Sequence, residues 1–181
     1  MVMMIPPIAA ALESINPVPG SPFPVPVILT DPAGKIFTQK DARMLAEHPQ
    51  IVIVCGHYEG VDERVRTQLC THVFTIGDYV LTGGELPALV IADSIVRLLP
   101  GAIGDPESHL DDSHEGGLLG HPLFTRPPEF GGEHVPEVLL GGNHKEIEAW
   151  RRRQSLQRTR EARPDLFAGA KLTSEDVDLL G

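Results

Sequence analysis

Gly83 and Gly84 sit between a polar turn, residues 76–82, and an apolar run over residues 85–99. Two adjacent glycines remove every side chain at that corner, so a ligand can approach the backbone closely. A helix starting there presents unpaired N–H groups at the same spot, and Pro87 fits its first turn because no N–H is needed. Such a corner can hold the carbonyl-rich or hydroxyl-rich edge of a small molecule. Paired glycines also turn strand–helix corners that bind nothing. Two further segments bear on that choice. The uninterrupted apolar run of residues 51–55 suits a strand buried on both faces, and it ends in Gly56-His57-Tyr58-Glu59-Gly60. Val27-Ile28-Leu29 ends likewise in Thr30-Asp31-Pro32-Ala33-Gly34. Ligands in α/β sheets sit beyond the carboxyl ends of the strands. Three glycine-bearing loops together therefore point to a nucleotide-sized site, although no GxGxxG fingerprint is present.

Two other constellations carry chemistry. His109, His114 and His121, with Glu107, Asp111 and Asp112, are ligand types for zinc or a harder cation. They would make a metal-dependent hydrolase the rival reading, but their spacing matches no fixed motif such as HExxH. Arg151, Arg152, Arg153, Arg158, Arg160 and Arg163 crowd one segment. They suit phosphate contacts, or equally a solvated helix face supported by Glu148 and Glu161 at i,i+4 spacing. The formal net charge of −10 weighs against a nucleic-acid binder. Phosphate binding, however, depends on local positive charge and not on the sum over the chain.

The elements that must position these residues are few. A chain of 181 residues with 41% hydrophobic content can bury one good core and a small second unit. No apolar run approaches the roughly 20 residues of a membrane span. The first residues lack a signal peptide's basic region, which makes cytoplasm the expectation. Cys55 and Cys70 form no disulfide framework and read as small buried apolar residues. Residues 17–26 alternate proline with small or apolar residues, giving an extended connector. Thr38 with Asp41 starts a helix reaching about residue 48, and VDERVRTQL reads as another. Pro100-Gly101 stops the helix over 85–99. Asn143 caps a helix with Glu146 at its third position, and Thr173 with Asp176 starts a last short one. The fold class is α/β with a mostly parallel sheet. The organisation is a cofactor-binding domain over 1–101, a linker over 102–128 without periodicity, and a helical domain over 129–181.

The motifs VILTDPAGKIFTQ, IVIVCGHYEGVDERV, TIGDYVLTGGELPALVIADSIVRLLPG, DDSHEGGLLGHPLFTRP and VPEVLLGGNHKEIEAWRRRQSL resemble, in order, those of the bacterial tRNA (guanine-37 N1)-methyltransferases. These are enzymes of the knotted SPOUT class. The resemblance implies a trefoil knot, S-adenosylmethionine as methyl donor, tRNA as substrate and a homodimer whose active site crosses the interface. Relatives carry about one further βαβ stretch before the point where this chain starts. The expectation is therefore a chain short of its first strand, first helix and a glycine-rich segment, with an exposed sheet edge. A non-catalytic interaction fragment is the alternative.

Methylation at guanine N1 needs a base for the N1 proton and positive charge near O6, where electron density accumulates. By resemblance the base is Asp112 and the cation Arg97; by chemistry alone Asp111 serves as well as Asp112. The cofactor residues carried over by position are Leu29, Thr30 and Pro32, then Gly56, Tyr58 and Glu59. Ile76, Tyr79, Leu81, Gly83, Gly84 and Pro87 complete that set. The RNA-binding set is Asn143, His144, Trp150, Arg151, Arg152, Arg153 and Arg158. Mg²⁺ held by a carboxylate and RNA phosphates is compatible with methyl transfer.

Overall fold

In the computed structural model, residues 1–19, 24–104, 112–114 and 116–181 are described. They fall into two compact units, 1–104 and 105–181.

The first unit is built on a three-stranded parallel sheet in the order β2-β1-β3. The strands are β1 (Val27–Ile36), β2 (Val52–Cys55) and β3 (His72–Thr75). As the central strand, β1 buries Ile28, Leu29 and Thr30 in succession, as expected for a parallel strand covered on both faces. The helices α2 (Gln39–Ala46) and α3 (Glu85–Val96) close the core. Ala42 and Leu45 of α2 meet Ile91 and Ile95 of α3 over Ile28 and Phe74. The edge strand β2 leaves every residue half-buried, and α1 (Ile5–Glu13) is apolar yet buries none of its side chains. Among the described residues no helix is long and apolar enough to cross a membrane.

Local sequence explains most element boundaries. Thr38 and Asp41 form a complete capping box at α2, and Lys35 adds a 2.7 Å ion pair to Asp41. Burial alone would raise the Asp41 pKa, but hydrogen bonds from Lys35 and Thr38 outweigh it and hold the carboxyl below its usual range. VDERVRTQL is helical over residues 63–69, with a wide turn at Val65–Leu69 in which Cys70 N donates to Val65 O, five residues back, at 3.1 Å. One expected boundary is corrected. The α3 helix ends at Val96 instead of Leu99. There Leu98 and Leu99 switch to bonds three residues back, the tightening that precedes a proline-barred position. The sequence reading also passes over β3, whose Val73-Phe74-Thr75 core is strand-like but only four residues long with its histidine.

The second unit is organised on α5 (His144–Ala162), against which α4 (Glu137–Leu140), α6 (Pro164–Gly169) and α7 (Ser174–Leu180) pack. A two-residue hairpin, β4 (Glu129–Phe130) with β5 (Glu133–His134), precedes them. Asn143 holds the N-cap position of α5, but its side chain makes no capping hydrogen bond. Asn143 C=O alone contributes, accepting from Ile147 N at 3.0 Å. Thr173 and Asp176 form a complete capping box at α7. This unit reaches further toward the N-terminus than the 129–181 domain read from sequence. Leu118 is buried, Leu119 N donates to Thr159 Oγ1 at 2.8 Å, and Ser155 Oγ donates to Leu119 O. Glycine-rich sequence hides that docking, since its bonds run through backbone groups that carry no sequence signature.

Candidate functional site

The carboxyl ends of the three strands open into a cavity of about 300 Å³. Residues 31–34 loop out of β1, which shifts register between Thr30 and Lys35 against β3. Ala33 N donates to Asp31 Oδ1 at 2.8 Å and shapes that excursion. The loop after β2 is tied to the glycine corner by Gly84 N donating to Gly56 O at 2.7 Å and by an antiparallel bridge between His57 and Gly83. Thr30 Oγ1 lies 3.2 Å from Gly84 O and 3.3 Å from Val54 O, so one buried hydroxyl joins all three segments. After β3, Thr75 Oγ1 donates to Gly77 O at 2.8 Å and holds the turn that carries Tyr79.

Of the cofactor set read from sequence, Thr30, Pro32, Gly56, Tyr58, Glu59, Ile76, Tyr79, Leu81, Gly83, Gly84 and Pro87 line this one cavity. Leu29 does not; it is 1% exposed in the core beneath. Asp31, His57 and Thr75 line the cavity as well and were missed. The first two sit inside loops already singled out; Thr75 depends on recognising β3. Tyr58 adopts a positive φ of 61°, unusual for a non-glycine residue, and its ring stands edge-on to His57 at 4.7 Å. His57 Nδ1 in turn lies 3.6 Å from Glu85 Oε1. Burial, with Glu85 nearby, pushes the Cys55 thiol up. Cys55 therefore stays a neutral packing group and not a nucleophile.

Gly84 serves the protein before it serves any ligand. A Cβ there would meet Thr30 Oγ1, and would come within 2.8 Å of Cys55 Cα and Gly56 N. Those last two are backbone atoms that cannot rotate away. Gly84 thus lines the cavity and is also where two loops approach closely. Gly84→Ala should destabilise the unit by about 1–3 kcal/mol and abolish ligand binding with it, which denaturant unfolding and calorimetry would measure together. Wild-type stability in Gly84→Ala would show that the corner yields.

The two residues assigned to chemistry lie in different units. Arg97 is the C-cap of α3. The helix from Gly84 to Arg97 spans about 20 Å at ~1.5 Å per residue, so Arg97 does not line its own chain's cavity. In the second unit, half-buried Asp112 borders clefts of about 400 and 360 Å³. Arg151 and His121 line both, Arg152 the first and Arg158 the second. The Asp112 loop is held by Gly120 N donating to Ser113 Oγ at 2.9 Å and His114 N donating to Leu118 O at 2.8 Å. Glu107, His109 and Asp111 lie outside the described residues. Among the described ones no three His, Cys, Asp or Glu side chains are grouped to hold a metal.

The arginines of α5 divide by role. Arg152 makes a two-point pair with Asp176 at 2.7 and 2.8 Å. Arg153 Nε donates to Leu179 O at 3.0 Å, and Arg158 donates to Gly120 O at 3.2 Å. These three tie α5 to α7 and to the glycine segment. Arg151 is exposed and makes no hydrogen bond or ion pair among the described residues. Asn143 and His144 are exposed at the start of α5, and Trp150 is half-buried against Phe124.

A family profile described as tRNA (Guanine-1)-methyltransferase TrmD matches residues 1–169. The chain belongs to this family. Relatives named tRNA (guanine-N(1)-)-methyltransferase bear it out. One from Dehalococcoides mccartyi strain BAV1 is 54% identical over 159 residues, covering 88% of this chain and 64% of the relative. One from Moorella thermoacetica is 53% identical over 176 residues, 97% of this chain and 70% of the relative. A third, from Staphylococcus carnosus, is 56% identical over 154 residues, 85% and 63%. The chain thus spans a little under two thirds of the Dehalococcoides and Staphylococcus proteins. The match takes in the first unit and the second unit as far as the end of α6.

Proposed function

We propose that this chain acts as an S-adenosylmethionine-dependent methyltransferase on N1 of guanosine 37 of tRNA, working as a homodimer. The observation that carries the reading is the cavity that gathers eleven of the twelve expected cofactor residues at the strand ends. Its lining suits the cofactor. Ile76, Leu81, Pro32 and Pro87 offer apolar faces to an adenine, while Asp31 and Glu59 offer carboxylates to ribose hydroxyls, an amino group or the sulfonium charge. At about 300 Å³ the cavity is at the small end of ligand sites. When bound, S-adenosylmethionine supplies the methyl group.

The protein's own part is proton and charge management. The Asp112 carboxylate accepts the N1 proton, and the Arg97 guanidinium donates to O6, where the charge of the deprotonated guanine accumulates. Because Arg97 stands about 20 Å from the Gly84 end of its own helix, the cation at each cavity comes from a second copy. The exposed apolar residues of α3, Leu86, Leu89, Val90 and Val96, support packing of one copy on another. The trefoil knot, a cytoplasmic location and Mg²⁺ between carboxylate and RNA phosphates belong to the same reading.

Calorimetry tests the cofactor first. One S-adenosylmethionine should bind per chain, and Leu81→Arg should abolish it by placing bulk and positive charge where a cationic ligand sits. Leu81 is 38% exposed, so the folded state tolerates the change. Undiminished binding in Leu81→Arg removes this cavity from the site. Binding of cofactor and tRNA without methyl transfer would establish the interaction-fragment alternative.

A further inference from the structure

Among the described residues, the side chains lining the cavity at the strand ends include two carboxylates, Asp31 and Glu59, but no lysine or arginine. His57 is the one basic side chain there. Its ring is oriented from two sides. Tyr58 stands edge-on to it at 4.7 Å, and Glu85 Oε1 lies 3.6 Å from its Nδ1. Gly83 leaves the room for this arrangement, because a Cβ there would come within 2.7 Å of His57 Nδ1 and would also meet the Glu85 carboxylate. The backbone of His57 is held as well, bridged antiparallel to Gly83. With Nδ1 turned to Glu85, Nε2 is the nitrogen that faces other partners, since the neighbour of one ring nitrogen sets the task of the other. The side chain is 47% exposed, so a ligand in the cavity can reach it.

S-adenosylmethionine carries a sulfonium, an ammonium and a carboxylate. Asp31 and Glu59 suit the first two. The third is an anion entering a cavity that already holds two carboxylates, and a charge taken out of water without a partner is costly. We infer that the His57 imidazolium pairs with the carboxylate of the ligand's amino-acid end, donating from Nε2 while Nδ1 faces Glu85. Both ring nitrogens are donors in that form. His57 is then the residue by which the cavity prefers a nucleoside bearing an amino acid to one without it. The ligand's identity in this inference rests on the methyltransferase reading; the charge inventory of the cavity does not.

Calorimetry on the full chain at about pH 6, where an imidazole holds its second proton, compares three probes. They are S-adenosylmethionine, its decarboxylated form, and methylthioadenosine, which lacks the amino-acid end altogether. Wild type should bind S-adenosylmethionine roughly three- to tenfold more tightly than the decarboxylated form, the range for one half-exposed, charge-assisted hydrogen bond. His57→Phe keeps a ring beside Tyr58 but has no N–H and no charge. It should erase that preference while binding methylthioadenosine as wild type does. His57→Lys returns a cation and should recover part of the preference. The comparison of probes on wild type requires no variant to fold. A decarboxylated ligand bound by wild type as tightly as S-adenosylmethionine would overturn the inference, and so would a preference that survives in His57→Phe. An equal loss of all three probes in His57→Phe would reduce His57 to a structural part and overturn it too. If wild type binds all three without preference, the inference fails and the cofactor cavity stands. If it binds none of them, the inference and the methyltransferase reading fall together.

Discussion

Asp112→Asn should slow single-turnover methyl transfer by ~10²–10⁴-fold, the usual contribution of a general base, while cofactor and RNA affinities stay within a few-fold of wild type. The asparagine keeps the size and polarity of the side chain but cannot take a proton from N1. Asp112 belongs to the second unit and borders two clefts, both lined by Arg151 and one by Arg158, which on the proposed function would place RNA beside the carboxylate. The shared-site model makes a stronger claim. Mixing Asp112→Asn chains with Leu81→Arg chains should restore one working site per heterodimer, from the intact Asp112 of one copy and the intact cavity of the other. A mixture as inactive as both parents would sink the shared site, and a rapid-quench assay over a range of mixing ratios would show it.

The second large effect concerns Arg152, whose two-point pair with Asp176 gives it a structural part. Asp176 is 2% exposed and is held far below the usual carboxylate range, first by the Arg152 hydrogen bonds and then by Thr173, against the cost of burial. Arg152→Ala leaves that charge buried without its partner. The loss should reach about 2–3 kcal/mol, below the figure for fully enclosed pairs because the arginine is half exposed. A carboxyl whose folded pKa is depressed adds stability above its unfolded value, here near 3.8, and that stability drains as pH falls toward the folded value. Wild type should therefore lose stability steeply below about pH 4, and Arg152→Ala should show a flatter acid limb as well as a lower melting midpoint at pH 7. Melting curves across pH decide it. A weakened RNA affinity with unchanged stability would leave Arg152 to the phosphate set alone.

Residue-level reading reached furthest where local chemistry is self-sufficient. The capping boxes at Thr38 and Thr173 and the strands ending in glycine loops depend on neighbours within a few positions, and the family motifs are likewise strings along the chain. What escaped was set by distance. The Gly84 corner looks like room for a ligand alone until Cys55 Cα and Gly56 N stand 2.8 Å from its missing Cβ. Arg152 and Arg158 look like their neighbour Arg151 in sequence. Only packing separates them, because α7 brings a buried carboxylate to Arg152 and the glycine segment takes a single N–H of Arg158, while Arg151 stays exposed. Glycine-rich residues 116–120 carry no periodicity, yet they dock on α5 through their own backbone N–H and C=O groups, which any sequence has. Side-chain type thus announced which chemistry was available to this chain. Which of those side chains remain free to perform it was decided by contacts between segments 24 to 54 residues apart, since a charge is available to a substrate only when the fold has not already neutralised it.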